Sequence, residues 1–126
     1  MNHENDYHKL VKHANKLGYE VVETDCDSWD FSSKIISNNK KRHWENRVIY
    51  LSHEVGHASL YSRTNAIYFD IFPGFSCQGI KKKVSQVEQE VLAWEDGLKI
   101  LQRLKIPINL KQFARIKTQC LKSWIL

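Results

Sequence analysis

The feature that most limits what this chain can fold into is the segment Trp44 to Tyr61, apolar on most sides yet polar at its centre. Val48, Leu51, Val55 and Ala58 recur at helical spacing, while Ile49, Leu60 and Tyr61 occupy other faces. A helix of that kind is central and buried. Within it stand His53, Glu54 and His57 in the order H-E-x-x-H. Residues four apart lie one helical turn apart and point the same way, so both imidazoles can reach one metal ion. Glu54 beside them can take a proton from a water on that ion. Two histidines and a glutamate are expensive to bury without partners; the bland alternative is a pair of hydrogen-bonded core histidines. Gly56 lies between them, a residue about 1 kcal/mol worse than Ala in a helix, so another element is expected to pack closely there.

A zinc site takes a third protein ligand and keeps its fourth position for water. No histidine follows His57, which leaves the downstream carboxylates Asp70, Glu88, Glu90, Glu95 and Asp96. A long helix is predicted from about Ser85 to Leu104, with Val84, Val87, Val91, Trp94, Leu98 and Leu101 as its apolar stripe. Glu90 falls about 50° from the middle of that stripe, on the buried side. Glu88 and Glu95 fall at the margin, and Asp96 points away. An inward carboxylate needs a partner, either the metal or a Lys or Arg. Gly97, two turns from Glu90, again admits a neighbouring helix.

The rest of the chain reads as α+β. Tyr7, Leu10, Val11, Ala14 and Leu17 have helical spacing, stopped by Gly18. Strands are predicted over Tyr19–Thr24, Phe31–Ser37 and Ala66–Phe72, the last ended by Pro73-Gly74. Cys26–Asp30 reads as a turn and Asn38–Lys41 as a loop. Pro107 breaks the long helix, and Asn109 caps a last one reaching about Trp124. With 126 residues and no linker or repeat, a single domain over 1–126 is expected.

Composition excludes several classes. Tryptophan (4), tyrosine (5) and phenylalanine (5) are too abundant for a disordered chain. No apolar run approaches the roughly 18 residues of a membrane helix, and the polar N-terminus is no secretory signal. Cys26, Cys77 and Cys120 are odd in number and widely spaced, so they read as reduced thiols of a cytoplasmic protein. Cys77 lacks a second cysteine nearby to make a metal site. The net charge of +5 is uneven. Residues 97–126 carry Lys99, Arg103, Lys105, Lys111, Arg115, Lys117 and Lys122 and no acid. Such a tail is either a solvated face or a dock for an acidic partner or nucleic acid. Trp29, Phe31 and Trp44 read as core aromatics, because no glycine–aromatic interleaving accompanies them.

The run Val48 to His57, followed by Glu90-Val-Leu-Ala-Trp94, resembles the small bacterial and phage zinc-peptidase family named for ImmA and IrrE. The likeness covers roughly residues 44–61 and 84–105. It implies a minimal zincin-like domain with a small sheet, a central metal-binding helix and C-terminal helices. It also implies Zn²⁺ held by His53, His57 and Glu90, with Glu54 as catalytic base and Ala93 as the small residue after the third ligand. Trp94 stands where the family more usually has Asn. Family members act on helix-turn-helix regulators, so a protein substrate of that kind is the expected partner. The strand Ser33–Ser37 would pair with an extended substrate, and Tyr50, Tyr61 and Tyr68 are candidates for an oxyanion donor. Two rivals remain: a binding protein with a structural or vestigial zinc site that docks through its basic tail, and a metal-dependent hydrolase of a non-peptide amide.

Overall fold

The computed structural model describes residues 3–125. Helix α1 (His3–Lys16) carries Glu4 and Asp6 in its first turn and His13 and Lys16 in its last, the arrangement its dipole favours. It ends at Gly18, whose φ of 93° lets the chain reverse at little steric cost. Strands β1 (Glu20–Thr24), β2 (Ser28–Asp30) and β3 (Ile35–Asn39) follow. They form a mixed sheet in the order β1-β3-β2, with β1 parallel and β2 antiparallel to β3. Helix α2 (Trp44–Thr64) comes next, then a 3₁₀ turn (Asn65–Ile67), the short α3 (Tyr68–Ile71) and a second 3₁₀ turn (Pro73–Ser76). Helices α4 (Ile80–Arg103) and α5 (Leu110–Ile125) complete the α+β fold.

Helix α2 is the centre of the molecule, as its apolar sequence requires. Val48, Ile49, Leu51, Val55 and Ala58 are wholly inaccessible to solvent. They pack with Tyr7 and Leu10 of α1, Ile36 of β3, and Trp94 and Leu101 of α4 in one continuous core. Sheet and helix are pinned by buried Arg47. Its Nε donates to Asn38 Oδ1 at 3.0 Å, a terminal nitrogen lies 3.2 Å from Glu23, and its guanidinium stacks on Tyr7 and Trp44. The expected loop at Asn38-Asn39 is therefore the end of β3: an asparagine paired with a buried arginine behaves as a core residue.

The crossing of α2 and α4 is closer than ordinary side chains permit. A Cβ on Gly56 would run into the carbonyl oxygen of Ala93 and lie 2.9 Å from Gly97 N. A Cβ on Gly97 would lie 2.5 Å from the carbonyl oxygen of Ser52. The two glycines thus bring the helix backbones together, as anticipated.

Other expectations need correction. Cys26–Asp30 is not simply a turn, because β2 occupies its second half. Ala66–Phe72 is helical, not a strand: Phe72 N–H bonds to Tyr68 O at 3.0 Å, and short aromatic and β-branched runs do not distinguish the two states. Helix α4 begins at Ile80 rather than Ser85. Asn109 does cap α5, its Oδ1 accepting from Gln112 N–H at 3.1 Å.

Candidate metal centre

Helix α4 lies against α2 with a face different from the predicted stripe. Val84 is half exposed, whereas Ser85, Gln89, Glu90, Ala93, Trp94, Asp96 and Gly97 are buried. Asp96, expected to point outward, is buried beneath Arg63 of α2, which grips both of its oxygens at 2.9 and 3.0 Å. Glu88 and Glu95 are exposed. The carboxylate that reaches the histidines is Glu90.

His53, His57 and Glu90 form the cluster of donor atoms among the described residues that can hold a metal ion. His53 Nε2 lies 2.6 Å from Glu90 Oε2, His57 Nε2 lies 3.0 Å from the same oxygen, and the two nitrogens are 2.9 Å apart. Protons satisfy this triangle only in part. If both nitrogens carry hydrogen, both can donate to the Glu90 oxygen, but two donor nitrogens then stand 2.9 Å apart with no acceptor between them. If one does, two lone pairs face each other across the remaining edge. A cation among the three atoms satisfies them all. Tetrahedral zinc at about 2.0–2.1 Å from each ligand sets them roughly 3.3 Å apart, so modest spreading of the side chains admits it. Two imidazoles and one carboxylate also match the donor set of an open, three-ligand zinc site.

The surroundings hold these ligands in place. The His53 ring lies flat on Trp94, with centroids 4.2 Å apart and planes 5° from parallel. Trp94 thus forms the floor under one member of the cluster. His57 stacks on Trp29 of β2 at 5.3 Å. The Gln89 side-chain amide hydrogen bonds to Nδ1 of His57, on the ring edge opposite the cluster. Burial pushes the Glu90 carboxyl upward, but hydrogen bonds from both imidazoles, and their charge, prevail and hold it at about 2. These partners favour the carboxylate.

Glu54 lines the same cleft, a space of about 470 Å³ walled by Trp29, Phe31, Tyr68 and Trp124. Its Oε1 lies 3.4 Å from His53 Nδ1. Burial raises its pKa to about 7; His53 opposes this, and the charges of Glu90 and Asp27 add to it. A carboxyl poised there can accept and return a proton near neutrality. Of the three tyrosine candidates, Tyr68 belongs to the cleft. Burial lifts its pKa to about 12, partly offset by a hydrogen bond from Gln89, so it stays a neutral hydroxyl. Tyr61 stacks on Phe31, and Tyr50 lies under the Arg42 guanidinium.

Several site residues escape a sequence reading. Gln89 carries no charge and gives no metal-ligand signal; only its place beside Glu90 on α4 draws notice. Asp27, held by Arg42 and by Asn39 N–H at 2.9 Å, lines the cleft from what looked like a turn. Trp29 packs against the core as expected and also walls the cleft, whereas Phe31 is exposed on the cleft wall. The expected substrate-pairing strand is also corrected: β3 is paired on both sides, whereas β2 is the edge strand that meets the cleft. All three cysteines are free thiols. No described helix is long and apolar enough to cross a membrane.

No family model, curated protein or solved structure matches this chain. What stands is an α+β protein with a buried His53–His57–Glu90 group able to hold a metal ion.

Proposed function

We propose that this protein is a zinc-dependent peptidase of the ImmA/IrrE type. The observation that carries the reading is the convergence of the His53, His57 and Glu90 donor atoms on one buried point, with Glu54 in the same cleft. Bound there, zinc supplies a Lewis acid and lowers the pKa of water towards about 7. Glu54 takes a proton from the attacking water and passes it to the leaving amine, the role its pKa near neutrality suits. The Tyr68 hydroxyl donates to the developing oxyanion. An extended peptide lies along the edge of β2, with one apolar side chain between Trp29, Phe31 and Trp124.

The proposed substrate is a protein, in keeping with the resemblance a helix-turn-helix regulator. Lys111, Arg115 and Lys122, exposed on α5, favour an acidic docking surface on it.

The test joins metal analysis to Glu54→Gln. Purified protein is expected to hold about one zinc per chain, and a chelator to lower its melting temperature. Glu54→Gln keeps the fold and the zinc. It slows appearance of new protein termini in expressing cells by about 10²–10⁴-fold. Metal-free protein that ignores added zinc sinks the metal reading. Full biological effect in Glu54→Gln, with no new termini even from the wild type, makes the protein a binding protein instead.

A further inference from the structure

Lys99 and Arg103 take no part in the metal cleft. With α2 they wall a separate pocket of about 500 Å³, formed by Ser59, Arg63, Asp96, Lys99, Ile100 and Arg103. It shares no residue with the cleft, and Ser59 lies about 200° around α2 from His57. What its polar groups have left to offer is hydrogen-bond donors. Both oxygens of buried Asp96 are held by Arg63, at 2.9 and 3.0 Å. That fork fixes the guanidinium plane and uses two of its five donors. The Lys99 and Arg103 side chains make no hydrogen bond or ion pair with any described residue. Ser52 and Thr64 of α2 donate their hydroxyls to backbone carbonyls, whereas the Ser59 hydroxyl bonds to no described residue. Three cations against one carboxylate leave two positive charges in the pocket.

The helix dipole accounts for Arg63 and Arg103, each in the last turn of its helix. It does not account for Lys99, a turn earlier and four residues from Arg103, since like charges at that spacing weaken a helix. Burial holds the His13 imidazole of α1 below its ordinary pKa, and the charges of Arg103 and Lys16 push it lower still. Positive potential therefore reaches from the pocket to the end of α1, where a neutral histidine supplies no counter-charge. A phosphate monoester carries about two negative charges at neutral pH and three oxygens that accept hydrogen bonds. Arginine donors fit those oxygens, and lysine adds a point charge. The pocket volume is that of an ordinary small-ligand site, so it admits the phosphate with part of the molecule that bears it. We propose that Ser59, Arg63, Lys99 and Arg103 form a binding site for the dianionic phosphate group of a phosphomonoester. The site is apart from the metal cluster, and the proposal does not depend on the metal reading.

The test titrates methyl phosphate into the full chain at low salt, read by ³¹P line broadening and by the rise in melting temperature. Saturable binding below about 1 mM is expected. Dimethyl phosphate, with one charge and one terminal oxygen fewer, stands for a nucleic-acid backbone and should bind at least about tenfold more weakly. Lys99→Gln and Arg103→Gln alter exposed, unpaired side chains, so the fold survives them. Each should weaken methyl phosphate about tenfold, and Ser59→Ala about threefold. Lys111→Gln, exposed on α5, should stay within about twofold. Arg63 is left intact, because its loss would strand the buried Asp96 carboxylate.

Glu90→Gln separates the pocket from phosphate held on a metal at the cluster, and it should bind methyl phosphate within about twofold of wild type. Binding lost in Glu90→Gln but kept in Lys99→Gln and Arg103→Gln assigns the phosphate to the metal cluster and overturns the proposal. Equal binding of dimethyl phosphate makes the pocket a contact for a nucleic-acid backbone and overturns it too. So does methyl phosphate that reaches no saturation by about 10 mM, or whose binding ignores both substitutions. N-acetyl-phosphoserine amide and ribose 5-phosphate present the same group on a peptide and on a sugar. The tighter of the two identifies the source, and failure of both to bind overturns the proposal.

Discussion

The two halves of α4 meet the rest of the molecule in opposite ways. From Glu90 to Leu101 the helix is pressed onto α2. Ala93 and Trp94 are fully buried, and Gly97 lies against the Ser52 backbone. From Ile80 to Val87 it is loosely covered: Ile80 is 81% exposed, Val84 is 49% exposed, and Lys81, Lys82 and Lys83 face solvent. Apolarity does not explain the difference, since the exposed half also carries isoleucine and valine. The partner does: a whole helix covers the second half, whereas the first is met by the second 3₁₀ turn, whose Gly74 lies against Lys81 and Ser85. Where glycines let two backbones meet, short polar side chains such as Ser52, Gln89 and Glu90 are buried and held, and a metal cluster can be built with little freedom left to its ligands. Where the α2 contact ends, the β-branched Ile80 and Val84 stay in water.

The sharpest way to break this contrast is Gly56→Ala. The new methyl meets the Ala93 carbonyl, a backbone atom that cannot turn aside, so the helices must separate. Stability in urea is expected to fall by about 3 kcal/mol, at the upper end of overpacking effects. Zinc uptake should fall with it. If stability and zinc uptake are unchanged, the close crossing is not what holds the site.

Next comes the junction between the halves. Glu90→Gln removes a charged ligand and should weaken zinc by at least about 100-fold. Glu88→Gln, two residues earlier and exposed, should leave zinc affinity within about twofold, as expected of a surface change. Competition titration of the two variants compares the buried face with the solvent face directly.

The buried contact between α2 and α4 also gives the metal-free protein two opposed pH limbs. Glu90 folds with its pKa near 2, below the ordinary 4.5. Its contribution is therefore complete above 4.5 and is lost as pH falls towards 2. Glu54 folds with its pKa near 7, so the native state keeps a proton that the unfolded chain releases from 4.5 upward. Stability then drops as pH rises through that window. Glu54→Gln removes the second limb. Its melting midpoint should match that of wild type in acid and exceed it by several degrees above neutrality. A constant difference at every pH would show that Glu54 is not buried in its charged form.

The smallest effect belongs to the loose half. Ile80→Ser and Val84→Ser should each change stability by no more than about 0.5 kcal/mol, the range of surface substitutions. A loss several times larger in urea would mean that this end of α4 is covered in solution and that the contrast is false.

Much of the site was legible because it is local. A four-residue spacing on a helix fixes the relative direction of His53 and His57 whatever surrounds them. Gly56 and Gly97 signalled close approach through their poor helix propensity. Gly18 and Asn109 marked helix ends through backbone chemistry that needs no distant partner. Helical periodicity also turned Glu90 inward.

What the tertiary structure alone decided is which faces were covered, and by what. The apolar stripe pointed to Val84 as buried and Asp96 as outward, and both are reversed, because the partner of α4 is the glycine-bearing face of α2 and its Arg63. Ala66–Phe72 had strand-like residues but no strand beside it, and a strand is defined by its neighbour. The sheet instead recruits Ser28–Asp30, which sets Trp29 behind His57. Gln89 became part of the site only when residues 32 and 21 positions away in the chain, His57 and Tyr68, came to lie on either side of it. Periodicity acts within one element and can be read along the chain; the pairing of a buried polar atom depends on elements brought together by folding, and no local pattern encodes it.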